Sequence, residues 1–271
     1  MQPSESLTYS TVLIQCDLDN NSGYSLGTGF IMNLCIKNDR CIPVIITNKH
    51  VVKDSVRCHF TFCKRKSDGN PNDQDQIICH CGGADGWYMH PNDAIDLCCL
   101  PIGQILNDLT QKGLSVYHEA LDKTYLPTDE EINNLSAMED VVMIGYPRGI
   151  SDVHNNKPIL RKGVTGTHIK HDYQNKKEFL IDVACFPGSS GSPVFILNEG
   201  SYLEGNTVHI GSRIILVGVL YAGQNFTTNG EIKFAEIPTN PKVLTYIPMN
   251  LGNVIKSSEI LAFEPMLEKL L

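Results

Sequence analysis

The segment ACFPGSSGSPVF, residues 184–195, places three serines within four positions, behind a proline and between two glycines. A serine hydroxyl becomes a nucleophile when a neighbouring base takes its proton. Glycine and serine also cluster in ordinary turns, since glycine allows a positive φ and serine bonds to nearby backbone. The segment alone leaves both interpretations open. A nucleophile would further require a histidine and a carboxylate at the same point in the fold.

One histidine and one carboxylate stand where such partners are needed. In PVIITNKHVVKD, His50 directly follows an apolar strand, where a scaffold can fix a side chain that still faces a cleft. In NDAIDLCCLPI, Asp96 immediately precedes another apolar strand. A carboxylate at the start of a buried strand must accept hydrogen bonds, and a histidine N–H is a suitable donor. Asp93 is the competing carboxylate, and we prefer Asp96.

The elements that would position these residues are mostly strands. About a dozen short β-rich runs with a period of two are separated by a polar, helical stretch from Gly103 to Asp140. Within that stretch PTDEEINNL predicts a capping box, in which Thr128 caps a helix and Glu131 reaches back. The tail NLGNVIKSSEILAFEPMLEKLL has Ile and Leu at helical spacing and predicts a terminal helix.

The chain is therefore predicted to be an all-β protein of two lobes. The expected divisions are an N-terminal lobe over residues 1–102, a partly helical linker over 103–139, a C-terminal lobe over 140–249 and a C-terminal helix over 250–271.

Six fragments carry a family resemblance. GTGFI, ITNKHVV, DAIDLCCL, GYPRG, GSSGSP and LVGVLYAG follow the order and rough spacing of chymotrypsin-like serine peptidases, and the chain resembles most the protease domain of the HtrA/Deg type. The resemblance runs from about Thr8 to Pro248, and its ordered His, Asp and Ser motifs are specific together. It implies two six-stranded antiparallel β-barrels of the chymotrypsin type and peptide hydrolysis through an acyl-enzyme.

The same resemblance distributes the roles. The G-x-S-G pattern falls on residues 188–191 and makes Ser190 the nucleophile. The backbone N–H groups of Gly188 and Ser190 would form the oxyanion hole, since glycine permits the backbone geometry that turns its amide inward. His50 would take the serine proton, and Asp96 would hold the imidazole tautomer.

The substrate pocket is also expected from the resemblance. Ala184 would lie at its base and the strand through Tyr221 and Gly223 would form its wall. With no acid at that base, a small or apolar residue before the scissile bond is favoured over Arg or Lys.

Two departures from the secreted family members bear on how the activity is controlled. The acidic residue that precedes their nucleophile is replaced here by Ser189, and no cysteine follows His50 to form their disulfide. Control by something other than cleavage near the N-terminus is therefore expected. The chain also stops shortly after the second lobe, which leaves no room for a PDZ domain of typical length.

Composition disfavours several other classes of function. The formal net charge of −8 disfavours a nucleic-acid surface, and no apolar run reaches the roughly 18 residues of a membrane span. With no export signal, the ten cysteines are interpreted as reduced thiols and the protein as cytoplasmic. The cysteines of CHFTFC and CHC are better explained as buried strand residues than as zinc ligands, so neither metal nor cofactor is expected.

Two other functions stay open. The first is a catalytically idle chymotrypsin-like module that binds another protein, because a fold does not fix function. The second, a metal-dependent hydrolase, lacks a helical H-E-x-x-H. Since no member of the expected triad is missing, we favour a serine endopeptidase with a protein or peptide substrate and a possible regulatory protein partner.

Overall fold

The computed structural model describes residues 1–19, 23–38, 40–205, 207–231 and 242–270. Its strands are β1 (Thr11–Leu18), β2 (Tyr24–Lys37), β3 (Arg40–Thr47), β4 (Ser55–Arg65), β5 (Pro71–Gly82), β6 (Tyr88–Met89), β7 (Cys98–Pro101), β8 (Val116–Tyr117), β9 (Asp140–Gly145), β10 (Ile159–Thr165), β11 (Glu178–Asp182), β12 (Pro193–Asn198), β13 (Ser201–Glu204), β14 (Thr207–Ile210), β15 (Arg213–Glu231) and β16 (Lys242–Lys256). The α-helices are α1 (Pro3–Leu7), α2 (Lys49–Val52), α3 (Gly103–Gln111), α4 (Asp129–Asn134) and α5 (Glu264–Leu267).

The first lobe is one antiparallel sheet. Its strand order is β5-β4-β1-β2-β3-β7-β6, and β8 pairs with β4. The alternation in β1 explains how the sheet gains a core, since Val12, Ile14 and Cys16 point inward and are buried. The lobe thus has eight strands, where six were predicted, and the pairings between described residues do not close it. A closed barrel in this lobe remains a prediction.

The second lobe is a closed barrel. Its six strands follow the order β10-β11-β16-β15-β12-β9, as predicted for this half of the chain. Strands β13 and β14 form a separate two-stranded hairpin between β12 and β15. The chain is therefore mostly β, and the second lobe is a fully formed barrel.

The two lobes share an apolar layer. One buried cluster combines Phe30 and Ile46 of the first lobe with Ile144 and Phe195 of the second. Two further clusters fill the separate lobes, and the apolar residues of α3 pack against the first-lobe cluster. Because the interface is an apolar core of its own, the lobes are held in one fixed relation.

The linker contains the predicted capping box. The Thr128 hydroxyl accepts from the Glu131 amide at 3.2 Å, and the Glu131 carboxylate accepts from the Thr128 amide at 2.7 Å. Each bond provides an acceptor for a backbone N–H at the start of α4, as the sequence pattern predicts.

The C-terminal tail begins later than predicted. Residues 250–256 belong to β16, which pairs with both β11 and β15, so the helical tail starts at Ser257 instead of residue 250. The tail then returns to the first lobe, where Phe263 is fully buried and the Glu264 carboxylate accepts from the Cys35 amide at 2.9 Å. No helix in the described ranges is long and apolar enough to cross a membrane.

Candidate active site

His50 is held by the first turn of a short helix. Strand β3 ends at Thr47, α2 begins at Lys49, and the buried Val51 and Val52 anchor this helix in the first-lobe core. The His50 side chain remains about half exposed (46%), so it faces solvent from a fixed backbone. A histidine in this position is oriented by its scaffold and still open to a ligand.

Asp96 binds His50 through both carboxylate oxygens. Oδ2 lies 2.5 Å from the His50 Nδ1, and Oδ1 accepts from the His50 backbone amide at 3.1 Å. Because an ionised carboxylate can only accept, Nδ1 carries the proton in this pair and Nε2 is left to accept another. Asn48 holds the carboxylate loop by donating to the Asp96 carbonyl at 2.7 Å, whereas Asp93 is exposed.

The loop between β11 and β12 carries the three serines. Each carbonyl from Pro187 to Ser190 accepts a hydrogen bond. The Arg148 amide donates to Pro187 at 2.5 Å, and the Ser192 amide donates to Ser189 at 3.0 Å. Thr28 holds the other two carbonyls, with its hydroxyl on Gly188 at 3.0 Å and its amide on Ser190 at 2.8 Å. The loop backbone is thereby fixed unit by unit.

Two amides of this loop stand out. The Ser189 amide donates to Phe186 at 3.0 Å and the Gly191 amide to Leu220 at 2.8 Å. By contrast, the amides of Gly188 and Ser190 have no acceptor in the part of the chain that the structure describes. Since backbone N–H groups are obligatory donors, two unpaired ones in a rigid loop are available to a negatively charged oxygen.

Glycine is required at two positions of the loop. Gly188 and Gly191 have φ angles of +88° and +86°, which L side chains rarely adopt. A Cβ at Gly188 would also lie 2.7 Å from the Tyr146 carbonyl oxygen, and one at Gly191 would collide with the Thr28 carbonyl. The two glycines of the G-S-S-G sequence are thus a geometric requirement of this turn.

The three serines differ in accessibility. Ser189 and Ser192 are fully buried, and their hydroxyls have no hydrogen-bond partner among the described residues. Ser190 is half-buried, and its Oγ donates to the Tyr221 carbonyl at 3.4 Å. Within the described chain, no hydrogen bond joins Ser190 to His50, so the structure brings together His50 with Asp96 and leaves Ser190 bonded to the opposite strand.

A cavity of about 170 Å³ lies beside Ser190. Its lining is Cys185, Phe186, Pro187, Ser190, Leu220, Tyr221, Ala222 and Gly223. Cavities of about 360 and 520 Å³ lie elsewhere on the surface, but they do not include the serine. The predicted Tyr221 and Gly223 are present in the lining. Ala184 is not, because Cys185 takes that place and faces Gly223, where a Cβ would lie 3.3 Å from the Cys185 Cβ.

The pocket strand is held by a buried acid that sequence reasoning missed. The Tyr221 hydroxyl donates to the Glu178 carboxylate at 2.9 Å, and Glu178 is only 5% exposed. Burial, and then this hydrogen bond, raise the pKa of Tyr221 above its usual value, so the phenol stays protonated and keeps donating. Thr28 and Arg148 were missed as well, although both stand inside the quoted motifs GTGFI and GYPRG.

Comparison with known proteins decides the family. Residues 27–203, more than half of the chain, match the family model described as the trypsin-like peptidase domain. The chain belongs to the trypsin-like peptidase family. The resemblance inferred from the six fragments is therefore confirmed, and a search of curated proteins by sequence finds no match.

Among solved structures, one peptidase resembles this trypsin-like peptidase in fold, and two others match it less well. The catalytically inactive tobacco etch virus protease complexed with substrate matches with a TM-score of 0.52 and 9% identity, covering 99% of this chain and 87% of that one. The Rv3671c protease from M. tuberculosis in its active form has a TM-score of 0.45 and 16% identity, with 98% and 82% covered. Deg5 has a TM-score of 0.45 and 17% identity, with 82% and 87% covered.

Proposed function

We propose that this trypsin-like peptidase is a serine endopeptidase in which Ser190 is the nucleophile, His50 the general base and Asp96 the residue that orients it. The observation that carries the proposal is the pair of unpaired amides at Gly188 and Ser190, next to the one accessible serine of the loop. An idle module has no need for two rigidly held donors without acceptors. A hydrolase needs them for the oxyanion of its tetrahedral intermediates.

The proposed reaction follows from these positions. The Ser190 Oγ attacks the peptide carbonyl carbon while the His50 Nε2 takes the hydroxyl proton. The carbonyl oxygen becomes an oxyanion and accepts from the two loop amides. When the C–N bond breaks, His50 returns the proton to the leaving amine, and an acyl-enzyme on Ser190 remains. Water then repeats the same steps to release the acid.

Asp96 supports each of these steps. Its carboxylate accepts from both Nδ1 and the backbone amide of His50, so the ring cannot turn without losing a charge-assisted hydrogen bond. The same carboxylate stabilises the imidazolium that forms when Nε2 is protonated.

One observation favours the alternative of a catalytically idle protein-binding module. The Ser190 hydroxyl is bonded to the Tyr221 carbonyl rather than to His50. That bond is 3.4 Å long and therefore weak, and catalytic hydrogen bonds are often long or absent until substrate is bound.

Labelling with a fluorophosphonate probe separates the two functions. An active serine displaces fluoride from the probe and becomes covalently phosphonylated, whereas an idle module does not react. We expect labelling of the wild-type protein and of Ser192→Ala, and none of Ser190→Ala, because losing the nucleophile costs on the order of 10⁶ in kcat. Equal labelling of wild type and Ser190→Ala, or none of either under native conditions, refutes the proposal.

The pocket supports a substrate class. The lining contains no charged side chain, and a cavity of about 170 Å³ accommodates a small or apolar residue better than Arg or Lys. We propose limited cleavage of a protein partner directly after such a residue, in a reducing, cytoplasmic setting in which the ten cysteines are free thiols. A peptide library read by mass spectrometry tests this preference, and cleavage chiefly after Arg or Lys contradicts it.

A further inference from the structure

We propose that Thr28, a first-lobe residue, is a positioning residue that sets the oxyanion hole of the second-lobe serine loop. This inference rests on the proposed function, since an oxyanion hole matters only if Ser190 reacts. Thr28 lies in β2 and is fully buried. It is separated from the serine loop by about 160 residues of sequence, so its contacts are purely tertiary.

All the polar groups of Thr28 are used. Its amide donates to the Ser190 carbonyl at 2.8 Å, and its hydroxyl donates to the Gly188 carbonyl at 3.0 Å. The hydroxyl also accepts from the Tyr146 amide at 3.0 Å, and the Thr28 carbonyl accepts from the Thr47 hydroxyl at 2.7 Å. The Thr28 hydroxyl thus connects the serine loop with the turn after β9, and the Thr28 backbone adds bonds to Ser190 and to Thr47 of the first lobe.

These contacts act on the peptide units on either side of the Ser190 amide. The Gly188 carbonyl belongs to the peptide unit before that amide, and the Ser190 carbonyl belongs to the unit after it. Peptide units are planar and trans, so fixing a carbonyl fixes the orientation of its whole unit. The unit that carries the Ser190 N–H is held by the Ser192 amide on the Ser189 carbonyl at 3.0 Å. With the two flanking units held by Thr28 as well, this N–H has little freedom to turn away from the developing oxyanion.

The hydroxyl also couples this loop to the turn that holds Gly188. The Tyr146 amide donates to the Thr28 hydroxyl, and two residues later the Arg148 amide donates to the Pro187 carbonyl. That second bond orients the peptide unit whose N–H belongs to Gly188. Thr28 is therefore linked to both donors of the hole, through the two flanking peptide units for Ser190 and through this turn for Gly188.

Thr28 is also hydrogen-bonded to the first-lobe segment that leads to His50. Thr47 is the last residue of β3, and the chain continues through Asn48 into the helix that carries His50. Because Thr47 and Thr28 are both fully buried, their hydrogen bond of 2.7 Å fixes the spacing between the base and the serine loop. A β-branched threonine suits this place, since its χ1 angle is restricted.

The test compares Thr28→Val, which keeps the shape and removes the hydroxyl, with Thr28→Ser, which keeps the hydroxyl. Thr165→Val is the matched control. The Thr165 hydroxyl also bridges a carbonyl and an amide, on Ala137 and Glu139 at 2.9 Å each, and Thr165 is 5% exposed. It lies at the end of β10, and its recorded hydrogen bonds do not reach the serine loop.

The measurements are thermal unfolding and the two fluorophosphonate constants, kinact and KI. We expect Thr28→Val to lower kinact about 10- to 100-fold with KI within about twofold, since small displacements of catalytic groups have effects of this size. Thr28→Ser should recover kinact to within about threefold of wild type, and Thr165→Val should leave it unchanged although both valine variants lose two hydrogen bonds.

Each outcome decides between the two proposals. If wild type is labelled and Thr28→Val reacts at the wild-type kinact, the role of Thr28 is refuted while the peptidase proposal stands. If wild type is not labelled, the peptidase proposal fails and this inference fails with it. Should Thr28→Val not fold, Thr28→Cys replaces it, because a thiol is a weak donor. An equal kinact for Thr28→Cys and Thr28→Ser, both folded, also refutes the role.

Discussion

Replacing Ser189 by alanine should stabilise the protein without removing activity. Ser189 is fully buried, and its hydroxyl has no hydrogen-bond partner among the described residues. Its backbone contacts, a bond from its amide to Phe186 and one from the Ser192 amide to its carbonyl, do not involve the side chain. The substitution therefore removes an unsatisfied polar atom and keeps the loop.

The magnitude follows from the burial. A buried polar group without a partner costs about 1–3 kcal/mol, and the loss of one oxygen from a packed site offsets part of that gain. We expect Ser189→Ala to raise the free energy of unfolding by about 1 kcal/mol, and the melting temperature by about 2 °C for a chain of this size. The matched control is Ser10→Ala, since Ser10 is equally buried but its hydroxyl donates to Leu7 at 2.8 Å. This control should lose about 1 kcal/mol.

The assay separates stability from activity. Unfolding is measured in the Ser190→Ala background, so that self-cleavage does not distort the transition, and probe labelling is measured with Ser190 intact. A loss of more than about 1 kcal/mol in Ser189→Ala would refute the reasoning, because it would show that the hydroxyl is satisfied in solution. Loss of labelling in Ser189→Ala would refute the reasoning as well, since the Ser189 hydroxyl would then be needed for the reaction with the probe.

Three further predictions concern the tail, the thiols and activation. Phe263→Ala should lower the free energy of unfolding, measured in urea titrations, by about 3–5 kcal/mol, because the ring is fully buried and packs edge-on against His90 with ring centroids 5.6 Å apart. A loss below about 1 kcal/mol would contradict this prediction. Mild reductant should leave the fold intact and non-reducing intact mass should show free thiols. Under diamide the first disulfide should join Cys16 and Cys58, which lie directly opposite each other with sulfurs 2.8 Å apart, and several disulfides in untreated protein would contradict this prediction. Protein that begins at Met1 should react with the fluorophosphonate probe either as made or after binding a partner. Labelling that appears only after N-terminal residues are removed, and that is lost when the new terminus is acetylated, would instead show a zymogen mechanism.

The sequence was informative where one local rule determines the structure. Strand ends and turn chemistry single out His50, Asp96 and the serine loop as candidates, because each lies next to the start or the end of a strand. The capping box at Thr128 was also predictable from local sequence, because it joins two residues that are three positions apart. The catalytic roles of the three residues stay a proposal.

Features set by tertiary contacts were not predictable. Residues 250–256 have helical spacing of apolar residues, yet they pair with two distant strands and extend β16. In the pocket, the chain after β11 is irregular, so counting back from Ser190 gave Ala184 where Cys185 lines the cavity. Thr28 and Glu178 act on partners far away in sequence, and no local pattern marks such contacts.

The return of the tail to the first lobe has a consequence for biosynthesis. Ile260, Phe263 and Leu267 are fully buried in the same cluster as Phe30 and Leu34 of β2. Residues translated early therefore wait for residues translated late before their core is complete, so the first lobe cannot reach its final packing while the ribosome still holds the tail. The serine loop relies on that lobe for its backbone contacts, so we expect it to reach its final geometry only after residues 257–270 have emerged.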